Sequence, residues 1–214
     1  MTATSGAFKK TIDWYENNAE IYAERIESSP EILLINRFAR MLKKGDAVLD
    51  AGCAGGRDCR IFKEKGLNPT GLDITKSLIK QAKIKSPEIE FVQGSFLELP
   101  FLNDHFDGLW AHASLVHLEK ISEAKQSLHE FHRVLKPGGI IHISVKQQLG
   151  DKKTEYVSHD YSGEFKRFFR FFTKQEIKSL LENTGFRIVE IQDNYVSPDG
   201  RKEIKWIVVF AKKI

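Results

Sequence analysis

Two cysteines, Cys53 and Cys59, are all that the 214 residues contain. Two thiols make no disulfide framework, and no clustered histidines join them in a four-ligand zinc site. Such cysteine usage predicts a reducing, cytoplasmic setting. Long apolar runs are missing too. Stretches such as residues 140–145 and 206–211 fall far short of the ~20 residues that a membrane helix needs. The opening MTATSGAFKKTIDWYENN lacks the apolar centre of a signal peptide. No glycine directly precedes a lysine, which excludes a phosphate loop, and the dinucleotide pattern G-x-G-x-x-G fails because Ala54 and Arg57 hold its second and third positions. No Ser/His/Asp arrangement points to a nucleophilic triad. Charge of one sign is scarce: 33 basic against 29 acidic residues leave +4. That is too mild to require nucleic acid.

What is present is an alternation. No linker and no repeat divides the chain, so one domain over residues 1–214 is expected. An N-terminal helical extension (residues 1–44) contains a helix over 12–27, with Ile12, Tyr15, Ala19, Tyr22 and Ile26 at 3–4 spacing. Ser28-Ser29-Pro30 stops it and starts another. A cofactor-binding core (45–146) follows. Strands are predicted at 47–50, 69–73, 89–93, 105–111 and 140–145. Thr75 is expected to cap one intervening helix, and Lys136-Pro137-Gly138-Gly139 to end the amphipathic helix 121–135. A substrate-side insert occupies 147–172. Thr173 caps a last helix, and strands 186–195 and 203–211 around Ser197-Pro198-Asp199-Gly200 read as a hairpin. Strands alternating with helices predict a doubly wound, mainly parallel sheet, and the hairpin is expected to add one antiparallel strand at the edge. Ligands in such sheets bind beyond the carboxyl ends of the strands.

Those ends carry the candidate chemistry. Val48-Leu49-Asp50-Ala51-Gly52-Cys53-Ala54-Gly55-Gly56-Arg57-Asp58 is a glycine-rich strand-to-helix turn, suited to a small anion such as an amino-acid carboxylate. Asp73, about 20 residues beyond it, can accept hydrogen bonds from both hydroxyls of a ribose; a helix cap or surface position is its plainer role. Ser95 can bond an adenine amino group and Phe96 can cover its face. His112 and His117 follow the fourth strand, where a general base would stand; packing histidines are the alternative. His129 and His132 lie three apart with no third ligand, so no metal is expected. The insert interleaves Tyr156, Tyr161, Phe165, Phe168, Phe169, Phe171 and Phe172 with Lys166, Arg167 and Arg170. It reads either as a basic, aromatic cover for an anionic or aromatic acceptor or as aromatics packed into the core.

VLDAGCAGGRD, GLDIT, GSFLELPF, HFDGLWAHASLVHL and HEFHRVLKPGGIIHISV, in that order and spacing, resemble the class I S-adenosylmethionine-dependent methyltransferases. The resemblance implies a Rossmann-like seven-stranded sheet with strand seven antiparallel and S-adenosyl-L-methionine as cofactor, S-adenosyl-L-homocysteine being the product. It places Gly52, Cys53 and Ala54 against the methionine part and Asp50 as the residue ordering the loop. Asp73 falls on the ribose, Ile74 on adenine, Gly94, Ser95 and Phe96 at the adenine edge, and Ala111 and His112 under the methyl donor. The N-terminal helix is similar to the family's lid, with Tyr22 near the cofactor carboxylate and Arg25 or Arg57 pairing with it. Ala54 departs from the usual glycine, which is tolerable if its φ is negative. Ser95 departs from a common aspartate. The expected activity is methyl transfer to a small-molecule acceptor by in-line displacement. A tRNA-modifying methyltransferase and a non-catalytic cofactor-binding regulatory protein are the alternatives. Nucleic acid is a less favoured partner, no membrane is expected, and a monomer or homodimer fits.

Overall fold

The computed structural model describes residues 6–157, 166–197 and 202–214. Three helices open the chain: α1 (Gly6–Asn17), α2 (Ala19–Glu27) and α3 (Ile32–Arg40). The sequence predicted one helix where α1 and α2 stand. Asn18 breaks it, with φ −121° and ψ 17°, and its side-chain amide donates to the Trp14 carbonyl at 2.8 Å. The alternating region then runs β1 (Ala47–Ala51), α4 (Arg57–Glu64), β2 (Asn68–Asp73), α5 (Lys76–Lys85), β3 (Glu90–Gln93) and β4 (Phe106–His112). After a 3-10 turn (Leu115–His117) come α6 (Ile121–Val134) and β5 (Leu135–Lys146). The insert forms β6 (Thr154–Val157) and β7 (Arg167–Arg170). The chain closes with α7 (Lys174–Asn183), β8 (Phe186–Tyr195) and β9 (Trp206–Lys213).

Seven strands make one sheet in the order β3-β2-β1-β4-β5-β9-β8. Only β9 runs against its neighbours. The expected place of the antiparallel strand is therefore corrected: β9 lies inside, between β5 and β8, and β8 is the edge. Burial gives the reason. Residues 206–211 are all buried, as a strand covered on both faces requires, whereas β8 alternates in exposure. Lys136–Gly139 also differs from expectation. These residues lie within β5, where the register against β4 jumps between Phe106 and Gly108.

Successive residues of each strand face opposite layers. Leu49 and Leu109 join Leu128, Phe131 and Ile141 on one side. Val48 and Trp110 join Ile35, Phe38 and Phe62 on the other. Thr173 caps α7 as expected, its Oγ1 accepting Glu176 N–H at 3.1 Å. Thr75 holds the N-cap position of α5 without a side-chain capping bond. Glu16 on α1 serves instead, accepting Lys76 N–H at 2.7 Å and Ser77 N–H at 2.9 Å. That carboxylate at a helix N-terminus is favourable, and it fixes the N-terminal helices over the carboxyl ends of β1 and β2. On the other side, the amide of Phe168 in β7 donates to Thr11 Oγ1 at 2.9 Å. The insert and the N-terminal helices thus close over the same end of the sheet. Of the expected aromatics in the insert, Phe168, Phe169 and Phe172 are buried and Tyr156 is half exposed. Tyr161, Phe165 and the turn residues Pro198-Asp199-Gly200 lie outside the described residues.

Candidate active site

A cavity of about 570 Å³ opens where the N-terminal helices and insert cover the strand ends. Its floor begins at the turn after β1. Gly52 and Cys53 both donate backbone N–H to the Leu72 carbonyl, at 2.7 and 3.0 Å. Gly52 has φ +90°, and a Cβ there would sit 2.6 Å from Ser114 Cβ. A Cβ on Gly55 would sit 2.7 Å from Ala23 Cβ on α2. These two glycines let β4's end and the N-terminal helices approach the loop. Ala54 adopts φ +47°, not the negative φ that would make its methyl easy to accommodate. It carries left-handed strain of about 1–2 kcal/mol.

Asp73, at the end of β2, staples this turn to α5. Its Oδ2 accepts Ala54 N–H at 3.0 Å and its Oδ1 accepts Thr75 N–H at 2.9 Å. Burial pushes its pKa up, and the two amides pull against that shift. Asp50, at the end of β1, is buried beside Cys59, whose thiol donates at 3.4 Å. Burial and the neighbouring Asp58 charge raise the Asp50 pKa well above the carboxylate range. Asp58 goes the other way: although desolvation raises it, Arg57 Nε at 2.6 Å and Trp110 Nε1 at 3.0 Å hold it ionised. Burial pushes the Cys53 thiol up to about 11, which makes it unreactive at neutral pH.

Most of the expected site residues meet here. Tyr22, Arg25, Asp50, Gly52, Cys53 and Ala54 line the cavity, as do Arg57, Asp73, Ile74, Phe96 and His112. Arg57 is also committed elsewhere, its Nη1 donating to the Ile26 and Ser29 carbonyls at 2.7 and 3.2 Å. Gly94, Ser95 and Ala111 lie outside the lining. Gly94 N–H donates to the Asp73 carbonyl, Ser95 Oγ accepts Leu97 N–H at 3.1 Å, and Ala111 is fully buried in the core.

The two histidines are unlike each other. His117 Nδ1 meets the Phe168 carbonyl at 2.8 Å, and its Nε2 meets Tyr15 Oη at 3.0 Å. A carbonyl only accepts, so Nδ1 carries the proton, and Nε2 accepts from the tyrosine. Burial drops the His117 pKa to about 3 and raises that of Tyr15. His117 is therefore a neutral post that positions Tyr15. His112 Nδ1 is buried with no hydrogen-bond partner among the described residues, as is Ser114 Oγ. The His112 ring stacks toward Trp110 and Trp206, with centroids 5.7 and 6.1 Å away, and burial lowers its pKa.

Several lining residues escaped the sequence reading as site residues: Thr11, Glu31, Asp58, Ser114, Lys146 and Trp206. Glu31 offered no local signal. It is buried because Tyr195, 164 positions later, donates to it at 2.7 Å.

This architecture, with its cavity at the carboxyl ends of β1, β2 and β4, is a Rossmann-like fold of the methyltransferase type. The methyltransferase domain family matches residues 49–143. Malonyl-[acyl-carrier protein] O-methyltransferase of Enterobacter lignolyticus is 27% identical over 139 residues, 65% of this chain and 51% of that protein. O-methyltransferase resE of Aspergillus sclerotiorum is 28% identical over 195 residues, 84% of this chain and 69% of that protein. The chain thus spans about half the length of the first relative. Among solved structures, 1,6-didemethyltoxoflavin-N1-methyltransferase of Burkholderia thailandensis, with 1,6-didemethyltoxoflavin and S-adenosylhomocysteine bound, superposes with a TM-score of 0.76. The identity is 21%, and the match covers 100% of this chain and 92% of that one. A Methanosarcina mazei methyltransferase gives 0.75 at 23% identity, over 85% and 97%. Residues 49–143 thus match a methyltransferase domain, and the fold is that of S-adenosylmethionine-dependent methyltransferases; the group to fit to this cavity is S-adenosylmethionine.

The residues present fit that group. Asp73, Asp58, Arg25 and Arg57 line the floor, so carboxylates are present for the sulfonium and ammonium that such a group would carry and guanidinium groups for its carboxylate. The buried, unpartnered Ser114 Oγ and His112 Nδ1 are free to bond a ligand. Among the described residues no helix is long and apolar enough to cross a membrane.

Proposed function

We propose that this chain transfers the methyl group of S-adenosylmethionine to an oxygen or nitrogen of a small-molecule acceptor. The observation that carries the reading is the covered cavity, which leaves room beside the cofactor floor for a small acceptor and little for a macromolecule. Thr11 and Glu16 tie α1 across its mouth to β7 and α5. The kinds of relative support it as well, since both relatives are named as O-methyltransferases and the Burkholderia enzyme as an N-methyltransferase.

In this reading Asp73 bonds the ribose hydroxyls, Ile74 packs on adenine, and the Gly52–Gly56 turn receives the methionine part near Tyr22 and Arg25. When bound, S-adenosylmethionine would supply an electrophilic methyl carbon on a sulfonium, whose thioether would leave with the carbon–sulfur electron pair. The chain's own part is placement. Holding two reactants in line is worth about 7–11 kcal/mol in favourable systems. Phe96, Leu78 and Trp206 give the cavity an apolar wall, and His117 fixes the Tyr15 hydroxyl at it. His117 holds no proton-accepting position of its own, because both its nitrogens are engaged.

Calorimetric titration with S-adenosylmethionine, with NAD in parallel, tests the cofactor half. Micromolar binding of the first alone is expected. A folded protein that binds neither defeats the reading. Labelled-methyl transfer to a pool of small acids, phenols and amines, compared with transfer to tRNA, tests the acceptor half, and transfer to tRNA alone would overturn it.

A further inference from the structure

Four flat rings share one face of the sheet. Trp110 and His112 stand on β4, His142 on β5 and Trp206 on β9. The His112 ring lies within 23° of parallel to the other three. Its centroid is 5.7 Å from Trp110, 5.8 Å from His142 and 6.1 Å from Trp206. Packing against three rings fixes where its nitrogens sit.

His112 lines the cavity at the carboxyl end of β4, two residues before Ser114, against which the Gly52 turn packs. Among the described residues neither of its nitrogens has a hydrogen-bond partner. Nδ1 is sealed from solvent and Nε2 is not. Buried polar atoms are rarely left without partners, and catalytic sites are among the exceptions. Ser144 pairs with His112 across β4 and β5, which puts its hydroxyl on the same face, and that Oγ is buried without a partner as well.

The other bases at the cavity are committed. His117 has both nitrogens engaged. Asp73 accepts two amides, Asp58 is paired with Arg57, and Asp50 accepts the Cys59 thiol. Glu31, which accepts from Tyr195, is the chief rival.

We propose that His112 is the general base of the reaction, and that the acceptor is one whose attacking oxygen or nitrogen keeps its proton at pH 7, as a phenolic hydroxyl or a ring N–H does. The inference rests on the methyltransferase reading. Nε2 takes the proton of the acceptor's O–H or N–H. The electron pair of that bond stays on the acceptor atom, which gives a pair to the methyl carbon as the thioether leaves with the carbon–sulfur pair. The positive charge lost from sulfur reappears on the imidazole. Burial, above all, and Arg57 disfavour a charged ring, which leaves His112 a neutral base at pH 7. Asp58 and Glu31 favour the imidazolium once it forms.

The test uses two probes that differ in one proton donor, 2-naphthol and its methyl ether 2-methoxynaphthalene. They are titrated by fluorescence into the folded full chain with S-adenosylhomocysteine present. 2-Naphthol is expected to bind roughly tenfold more tightly, the worth of one net hydrogen bond. His112→Phe keeps a flat ring on that face and removes the acceptor, so the probes should then bind within about twofold of each other. Glu31→Gln should keep the preference. In protein labelled with 15N at histidine, the His112 Nε2 resonance should move on adding 2-naphthol and stay in place with the ether. That reading decides in the wild type if His112→Phe fails to fold. With an acceptor from the labelled-methyl pool, kcat of His112→Phe should fall roughly 10²-fold or more while KM changes little. Equal probe affinities in the wild type, an unmoved His112 resonance, or a preference or kcat that survives in His112→Phe overturns the proposal. A preference lost in Glu31→Gln moves the base to Glu31 and overturns it too. S-adenosylhomocysteine titrated separately keeps the two readings apart. Its failure to bind, with the 2-naphthol preference intact, defeats the methyltransferase reading and leaves the proton-accepting site standing, and the reverse result defeats His112 alone.

Discussion

Asp73→Ala probes both halves of the cofactor site at once. A carboxylate has about four lone-pair positions. Backbone amides take two of them, Ala54 N–H at 3.0 Å and Thr75 N–H at 2.9 Å, and the Thr75 side chain bonds the carboxylate as well. What remains is assigned to the ribose. Removing the side chain orphans two amides, each costing about 1–3 kcal/mol if nothing replaces the acceptor. The cavity lets water in, so the low end applies, about 2 kcal/mol in total. For a chain of this size that lowers the melting temperature by roughly 4–8 °C. Binding loses the charge-assisted bonds to the ribose, at about 1.5–3 kcal/mol each, so affinity should fall by roughly tenfold or more. Calorimetry with S-adenosylhomocysteine on the folded variant reads the second effect, and scanning calorimetry of the free protein reads the first. A folded Asp73→Ala protein with wild-type affinity would refute the ribose assignment and leave Asp73 as a staple between the loop and α5. An unshifted melting temperature would refute the staple.

Two other outcomes are expected. Ala54→Gly relieves about 1–2 kcal/mol of left-handed strain against about 0.5–1 kcal/mol of added backbone entropy in the unfolded chain. The urea midpoint should rise; a fall would mean that the methyl's packing near Tyr15, Tyr22 and Leu78 outweighs the strain. The second outcome concerns acid. The folded pKa of His117, about 3, lies below its ordinary 6.5, so the unfolded chain takes up the proton first. The stability due to His117 is full above pH 6.5 and is lost as pH falls toward 3. Two pH units below 6.5 cost about 2.7 kcal/mol. The wild type should lose about that much more stability than His117→Gln between pH 7 and 4.5 in urea titrations, and parallel slopes would show that the ring is not held neutral.

Local pattern carried much of the fold. Strands 47–50, 69–73 and 89–93 were legible because each is a short segment with apolar residues closed by Asp50, Asp73 or Gly94, signals that need no distant partner. The Gly52–Gly56 turn and Asp73 were legible for the same reason: strand ends in a doubly wound sheet converge, so a motif at each end points to a shared site. The antiparallel strand's place was not legible. Two strands joined by a turn read alike whichever lies outside, and only packing of the fully apolar residues 206–211 between β5 and β8 decides it. Nor was the conformation of Ala54, whose positive φ goes with the hydrogen bond its N–H donates to Asp73 and the close approach of α2. Glu16 as the cap of α5, Glu31 beside Tyr195, and His112 beside Trp206 are pairings between residues far apart in sequence. By itself the sequence determined the chemistry available at each strand end. Which charges share a cavity only the tertiary structure decided, because burial and charge proximity depend on which distant segments close over the sheet.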